Sequence, residues 1–386
     1  MEVKNDFQVA GGSDKMPGHI RHLQPSMDEQ GYFHTFPAAQ GRQAGRDFYI
    51  AMCPLRMIPR LFVFDEEEVP PELRAQRTLN RARVPEIAHY LTSNPKSYVL
   101  SALTASVDAE VRFVSFDEDR HGSLGLLQIP MDARILINDG QHRRAAIEEA
   151  IRETPELGQD NVPVLFFVDE GLARSQQMFA DLNKYAVRPS NSLGTLYDFR
   201  DPGSDLARYL AAECLAFRGL TEMEKSSISN RSTKLFTLSS IKHASRALLR
   251  KQVKDEVSIE EKLVAKEYWD AVADNIPDWG RARTREASTA ELRQEFIHAH
   301  GVTLQALGIA GAELLSRRPR NWRGALKALR QLDWSRSNQK LWEGRAMVHG
   351  RISKASTNVQ LTANSIKTTL GLSLSPDEAE LEKQLQ

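Results

Sequence analysis

Five consecutive residues, Asp139-Gly140-Gln141-His142-Arg143, place a carboxylate, an amide, an imidazole and a guanidinium around one glycine. That set can grip a phosphate or a carboxylate. The apolar run Ile135-Leu136-Ile137 before it reads as a buried strand and Asn138-Asp139-Gly140 as a turn, while Gln141 to about Arg152 has helical periodicity. A helix N-terminus leaves backbone N–H groups without acceptors and carries partial positive charge, so such an opening suits an anion. Asp139 is a candidate N-cap, metal ligand or base, and His142 can change charge inside a pocket. At 100° per residue Arg143 shares a face with Ala146, Ile147, Ala150 and Ile151, where a charge needs an anionic partner. Arg144, Glu148 and Arg152 follow at i, i+4 on another side, the pattern of a solvated ion-pair ladder. A plainer alternative stays open: Asp139 only caps, Arg143 pairs with a structural carboxylate and His142 packs.

The pentapeptide, followed by Arg144-Ala145-Ala146, resembles the DGQHR-domain proteins, a branch of the ParB/sulfiredoxin-like superfamily. Gln40-Gly41-Arg42-Gln43, Asn80-Arg81-Ala82-Arg83, Asn183-Lys184 through Ser190, and Asn230-Arg231-Ser232 extend the similarity over most of residues 33–375. Over that length the chain is similar to the DndB family of bacterial DNA phosphorothioation systems. The resemblance implies a phosphate- or nucleotide-binding pocket made by Gly140, Gln141, His142 and Arg143. Arg81 and Arg83 before a wall helix, and Asn183 at the pocket border, join that set; Lys184, Arg188 and Ser190 carry over less. It admits ATP or CTP with Mg2+ as the ligand. Where sulfiredoxins carry a nucleophilic cysteine this chain has Gln141, which cannot attack sulfur or phosphorus.

Three functions follow from the resemblance. The first is a DNA-binding repressor of the modification operon, with double-stranded DNA as partner, other sulfur-modification proteins as associates and a homodimer as one assembly. The second is a nucleotide hydrolase or DNA-nicking nuclease, with Asp139 on a metal, His142 as acid or base and Arg143 stabilising charge on phosphorus. The third is a scaffold that binds without turnover. A metal-dependent phosphotransfer site normally gathers two or more carboxylates, and Asp139 alone is evident near the motif, which favours binding.

Composition narrows the field further. The 386 residues carry 51 basic and 51 acidic side chains, so net charge says nothing of nucleic acid. Local charge does: between Arg317 and Lys354 eleven Arg or Lys face only Asp333 and Glu343, with Trp322, Trp334 and Trp342 interleaved. Arg317, Arg318, Arg320, Arg323, Lys327 and Arg330 are therefore candidate DNA-phosphate contacts. No run of about 18 apolar residues appears, and the N-terminal stretch lacks an apolar h-region, so a cytoplasmic protein without a membrane partner is expected. Two distant cysteines, Cys53 and Cys214, suit incidental buried thiols. No P-loop pattern occurs, and His19-x-x-His22 and His298-x-His300 read as incidental.

These motifs need an α+β frame: a ParB/sulfiredoxin-like mixed domain followed by a mainly helical one. Residues 1–30 read as flexible, 31–203 as the DGQHR domain, 204–375 as helical and locally basic, and 376–386 as a tail. Strands are expected at Tyr32–Pro37, Asp47–Met52, Met57–Phe64, Tyr98–Ser106, Val111–Phe116, Leu124–Ile129 and Val162–Val168. Helices are expected at Val84–Thr92, Leu172–Leu182, from Ser190, and at Leu206–Phe217, Leu235–Arg250, Ile259–Asn275, Ala287–His298, Thr303–Leu315 and Trp322–Leu329. Asn358–Leu374 has a helix–turn–helix flavour.

Overall fold

The computed structural model describes residues 31–62, 81–116, 123–170, 174–184 and 189–385. The expectations for residues 1–30, including His19 and His22, for the acidic and proline-rich stretch after Phe64, and for Arg188 lie outside the described residues. The fold is α+β, in two compact units, residues 1–186 and 187–386.

The first unit is built on a seven-stranded sheet in the order β4-β5-β1-β2-β7-β3-β6. Its strands are β1 (Phe33–Gln43), β2 (Arg46–Pro54), β3 (Leu103–Asp108), β4 (Arg112–Ser115), β5 (Leu124–Pro130), β6 (Arg134–Asp139) and β7 (Asn161–Val168). Only β3 and β7 run parallel; every other pairing is antiparallel. Alternation along β7 buries Val162, Val164 and Phe166 on one face, and β2 buries Tyr49, Ala51 and Cys53 likewise. Helices α1 (Ile58–Leu61), α2 (Val84–Ser93) and α3 (Gln141–Glu153) join the same core through Ile58, Ala88, Leu91, Ala146, Ile147 and Ala150.

The described part of the strand expected at Met57–Phe64, residues 57–62, is not a strand. Leu55–Met57 forms a 3-10 turn that leads into α1, and Pro59 supplies the preset φ that favours a helix start. The strand expected from Tyr98 begins only at Leu103, because Asn94–Tyr98 close a turn and Val99 donates to the Tyr90 hydroxyl instead of a ladder. Asn138 and Asp139 belong to β6, and the whole change from strand to helix is made at Gly140.

The second unit is mainly helical, with two short two-stranded sheets. Its core gathers Phe217, Phe236, Tyr268, Trp269, Trp279 and Trp342. Helices α4 (Ser175–Lys184) of the first unit and α5 (Asn191–Tyr197) of the second flank the division. Placing the boundary after residue 203 therefore assigns α5 to the wrong side of the division, since it packs on α6 (Pro202–Glu213) and α7 (Leu238–Leu248). Ser190 caps α5, accepting from Leu193 N–H at 3.0 Å. Ile259–Asn275 is α8, with a capping box at Ser258 and Glu261. After α9 (Pro277–Arg283) and α10 (Thr289–Glu295) comes α11 (Gly301–Arg317), which packs on α7 and on α14 (Ser356–Thr369), with α12 (Trp322–Leu326) and α13 (Gln339–Trp342) between. Gly308 is needed for the α7 contact: a Cβ there would meet the Ala244 carbonyl oxygen at 2.2 Å.

Asn358–Leu374 is not a helix–turn–helix. It is the single helix α14, whose Val359, Thr362, Ala363, Asn364, Ile366 and Lys367 are buried, leaving no face to enter a groove. At the acidic end, the short helix α15 (Pro376–Lys383) is pinned by ion pairs of Lys367 with Glu378 and of Arg345 with Glu382.

Candidate functional site

The site begins with the backbone at Gly140. Its φ of +108° lies in the left-handed region, and a Cβ there would sit 2.4 Å from Leu103 Cδ2. Glycine therefore lets β6 pass into α3 within one residue, under the start of β3. Arg144 N–H donates to the Gly140 carbonyl at 2.9 Å, so the amides of Gln141, His142 and Arg143 precede the first intrahelical bond. No side chain caps them: Gly140 is the N-cap residue, and Asp139 does not act as cap.

Asp139 instead accepts from Arg143 Nη2 at 2.5 Å. Arg143 Nη1 donates to the carbonyls of Ser101 and Ala102, each at 2.9 Å, and to the Ser101 hydroxyl. The guanidinium thus ties the end of β6 and the entry to β3 to the first turn of α3. Its anionic partner is the carboxylate four residues earlier, and its side chain is 17% exposed. Arg144, expected on a solvated ladder, is drawn in as well: it donates to the carbonyls of Pro59 and Phe62 at the C-terminal end of α1 and pairs with Glu148 at 2.6 Å. Arginine suits those positions because α1 leaves its last carbonyls without amide partners.

In front of this junction lies a cavity of 360 Å³. Arg83, Ile87 and Tyr90 line it from α2 and the turn before it, Val99–Ser101 from the loop before β3, and Asp139–Arg143 from the junction. Gly140, Gln141, His142, Arg143 and Arg83 are therefore brought together. Burial and then the Arg83 guanidinium hold His142 below the ordinary imidazole range, with Asp139 opposing. At neutral pH His142 is an uncharged imidazole, and a bound anion would raise its proton affinity. Gln141 is 9% exposed, and its Nε2 is buried with no hydrogen-bond partner among the described residues. The side chains of Arg81 and Asn183 lie outside the described part; their backbones belong to the 3-10 turn Arg81–Arg83 and to α4, so Asn183 is helical rather than in a loop.

One residue of this region escaped the sequence reading. Asn138, fully buried, donates to Ser106 Oγ at 2.7 Å and accepts from Ser175 Oγ at 2.6 Å, fastening α4 to β6 beside Asp139. A buried asparagine next to an apolar triplet was the available signal, since such an amide must find partners.

The second candidate region is arranged differently. Arg317 pairs with Glu313 at 2.5 Å and donates to Ser373, and Arg318 donates to the carbonyls of Leu370 and Gly371 at the end of α14. Arg323 lies over the Trp322 ring at 4.5 Å and pairs with Glu267 at 2.6 Å, while Arg330 binds Asn275 and the Asp274 carbonyl. Arg320 and Lys327 are exposed. Trp334 and Trp342 are core residues, stacked at 5.7 Å and buried, rather than a platform for a polyanion. Among the described residues, no group of three or more His, Cys, Asp or Glu is placed to hold a metal.

A mixed sheet whose glycine junction opens a helix N-terminus onto a cavity, in a chain that also carries a mainly helical unit, defines a two-unit protein with a ligand-sized site at the strand–helix junction of its first unit. A family model described as DndB, DNA-sulfur modification-associated, matches residues 36–373. The chain belongs to that family, which ties it to DNA sulfur modification. No curated protein and no solved structure matches it. Among the described residues no helix is long and apolar enough to cross a membrane.

Proposed function

We propose that this chain is a DNA-binding regulator, a repressor of the operon for DNA sulfur modification, and that the junction of its first unit captures phosphate. The cavity in front of Gly140 carries the reading: the first-turn amides of α3, Arg83 and His142 all border it. Arg143 serves it by bracing the loop before β3 and the end of β6. In the second unit the exposed Arg320 and Lys327 are the phosphate contacts in this reading, supplemented by Arg323. Double-stranded DNA is the partner, and sulfur-modification proteins and a second copy of the chain are its associates.

Catalysis has less support. A hydrolase or nickase of this superfamily would use Asp139 on a metal, but that carboxylate holds Arg143, and among the described residues no second carboxylate lines the cavity. A mobility-shift titration of the full chain against its own upstream DNA tests the proposal. Specific, salt-sensitive binding is expected, and Arg83→Ala should weaken it about tenfold, the loss of roughly one charge-assisted hydrogen bond, with the circular dichroism unchanged. No binding by the wild-type chain rejects the regulator; equal binding by Arg83→Ala rejects the junction as its phosphate site.

A further inference from the structure

We infer that the junction cavity takes a nucleotide bearing a single phosphate, free or as one unit of a DNA strand, in preference to a magnesium–triphosphate. The inference rests on the phosphate-capture reading of the same cavity and goes on to name its ligand. Size is the first argument. At 360 Å³ the cavity lies at the small end of ligand sites, which span roughly 300–1,000 Å³.

Charge is the second. Of the cations in the lining, Arg143 is already matched by Asp139 and by the carbonyls of Ser101 and Ala102. Arg83 and the positive end of α3 remain to meet an incoming anion, with His142 neutral until one arrives. That potential suits one phosphate and falls short of the greater charge of a triphosphate. A magnesium ion would make up the difference only where carboxylates hold it, and among the described residues of the lining Asp139 is the one carboxylate.

The third argument is chemical division within the lining. Ile87, Tyr90, Val99 and Leu100 supply carbon surface for a sugar and a base, while Gln141 brings a buried amide donor with no acceptor among the described residues. A buried unpaired donor is costly to keep, and nine-tenths of Gln141 is buried at the first position of α3. A base carbonyl or phosphate oxygen in the cavity gives that donor its acceptor after a small turn of the side chain.

Calorimetric titration of the full chain with deoxycytidine monophosphate, with a short single-stranded oligothymidylate, and with deoxycytidine triphosphate with and without Mg2+ tests this. The monophosphate should bind at least as tightly as the triphosphate, and Mg2+ should add nothing. Gln141→Leu should weaken the monophosphate about tenfold while the thermal midpoint holds or rises, because the variant removes an unpaired buried donor. Gln141→Glu, which keeps the shape and turns the amide into an anion, should abolish binding if the leucine variant fails to fold. An oligonucleotide that binds more tightly than the monophosphate assigns the strand as the source, and the reverse order assigns the free nucleotide. A triphosphate favoured tenfold or more with Mg2+ overturns the inference and leaves phosphate capture standing, as does undiminished monophosphate binding in the folded Gln141 variants. Binding of none of the three overturns both.

Discussion

At the strand–helix junction of the first unit, Arg143 and Arg144 turn to the backbone carbonyls of Ser101, Ala102, Pro59 and Phe62. Along the basic run of the second unit, Arg317, Arg318, Arg330 and Arg336 do much the same with Ser373, Leu370, Gly371, Asp274, Gln294 and Gly350. The two regions share a device: a planar guanidinium with five donors closes carbonyls that chain ends and loops leave open. They differ in what remains. The junction keeps a cavity beside its braced arginines, whereas the run keeps Trp334 and Trp342 in the core and ties most of its arginines to carboxylates and backbone carbonyls. Density of arginine in a sequence is therefore a poor measure of unengaged positive charge, and the sparser region is the better candidate for a ligand.

The comparison breaks first at Gly140. Gly140→Ala must accept a left-handed backbone and a Cβ 2.4 Å from Leu103 Cδ2, so a loss of about 2–5 kcal/mol is expected from strain plus overpacking. Urea denaturation followed by circular dichroism reads it; a loss under about 1 kcal/mol would show that the junction does not depend on this glycine. Paired truncations of the two regions should differ next. Arg143→Ala leaves Asp139 and two carbonyls without their donor in a part-buried setting and should cost about 2–3 kcal/mol. Arg318→Ala acts on the exposed Gly371 carbonyl, which water can serve, and on the Leu370 carbonyl through a longer bond of 3.4 Å, so about 1 kcal/mol is expected. Equal losses would mean that the junction arginine is no more a brace than the surface one.

Much of the frame could be read from periodicity. Ile259–Asn275 is a helix with the expected bounds, because Ser258 and Glu261 announce its start and Pro277 its end. Apolar alternation likewise marks β2, β5 and β7. Met57–Phe64 misleads because a short run such as Ile58-Pro59-Arg60-Leu61 fits strand and helix alike, and Pro59 decides through its fixed φ. At the site, the helical wheel put Arg143 on the packed side and required an anionic partner for it, but could not say that the Asp139 carboxylate, one turn back, was that partner. Nor could it see Pro59 and Phe62, more than 80 residues from Arg144, waiting as acceptors. Asn138 was hidden for the same reason, since Ser106 and Ser175 meet it only in the folded sheet.

The smallest expected effect probes the basic run itself. Arg320 and Lys327 are exposed, so reversing both to glutamate should move the denaturation midpoint by no more than the equivalent of about 0.5 kcal/mol. If these side chains touch DNA phosphates, the slope of log affinity against log salt should shrink by about 0.9 for each contact removed. Arg318→Glu supplies the opposite pattern, a measurable loss of stability with little change of slope, because its guanidinium serves Leu370 and Gly371. Should the double reversal leave the slope untouched while Arg83→Ala lowers it, the DNA surface lies with the junction, and the basic run is framework throughout.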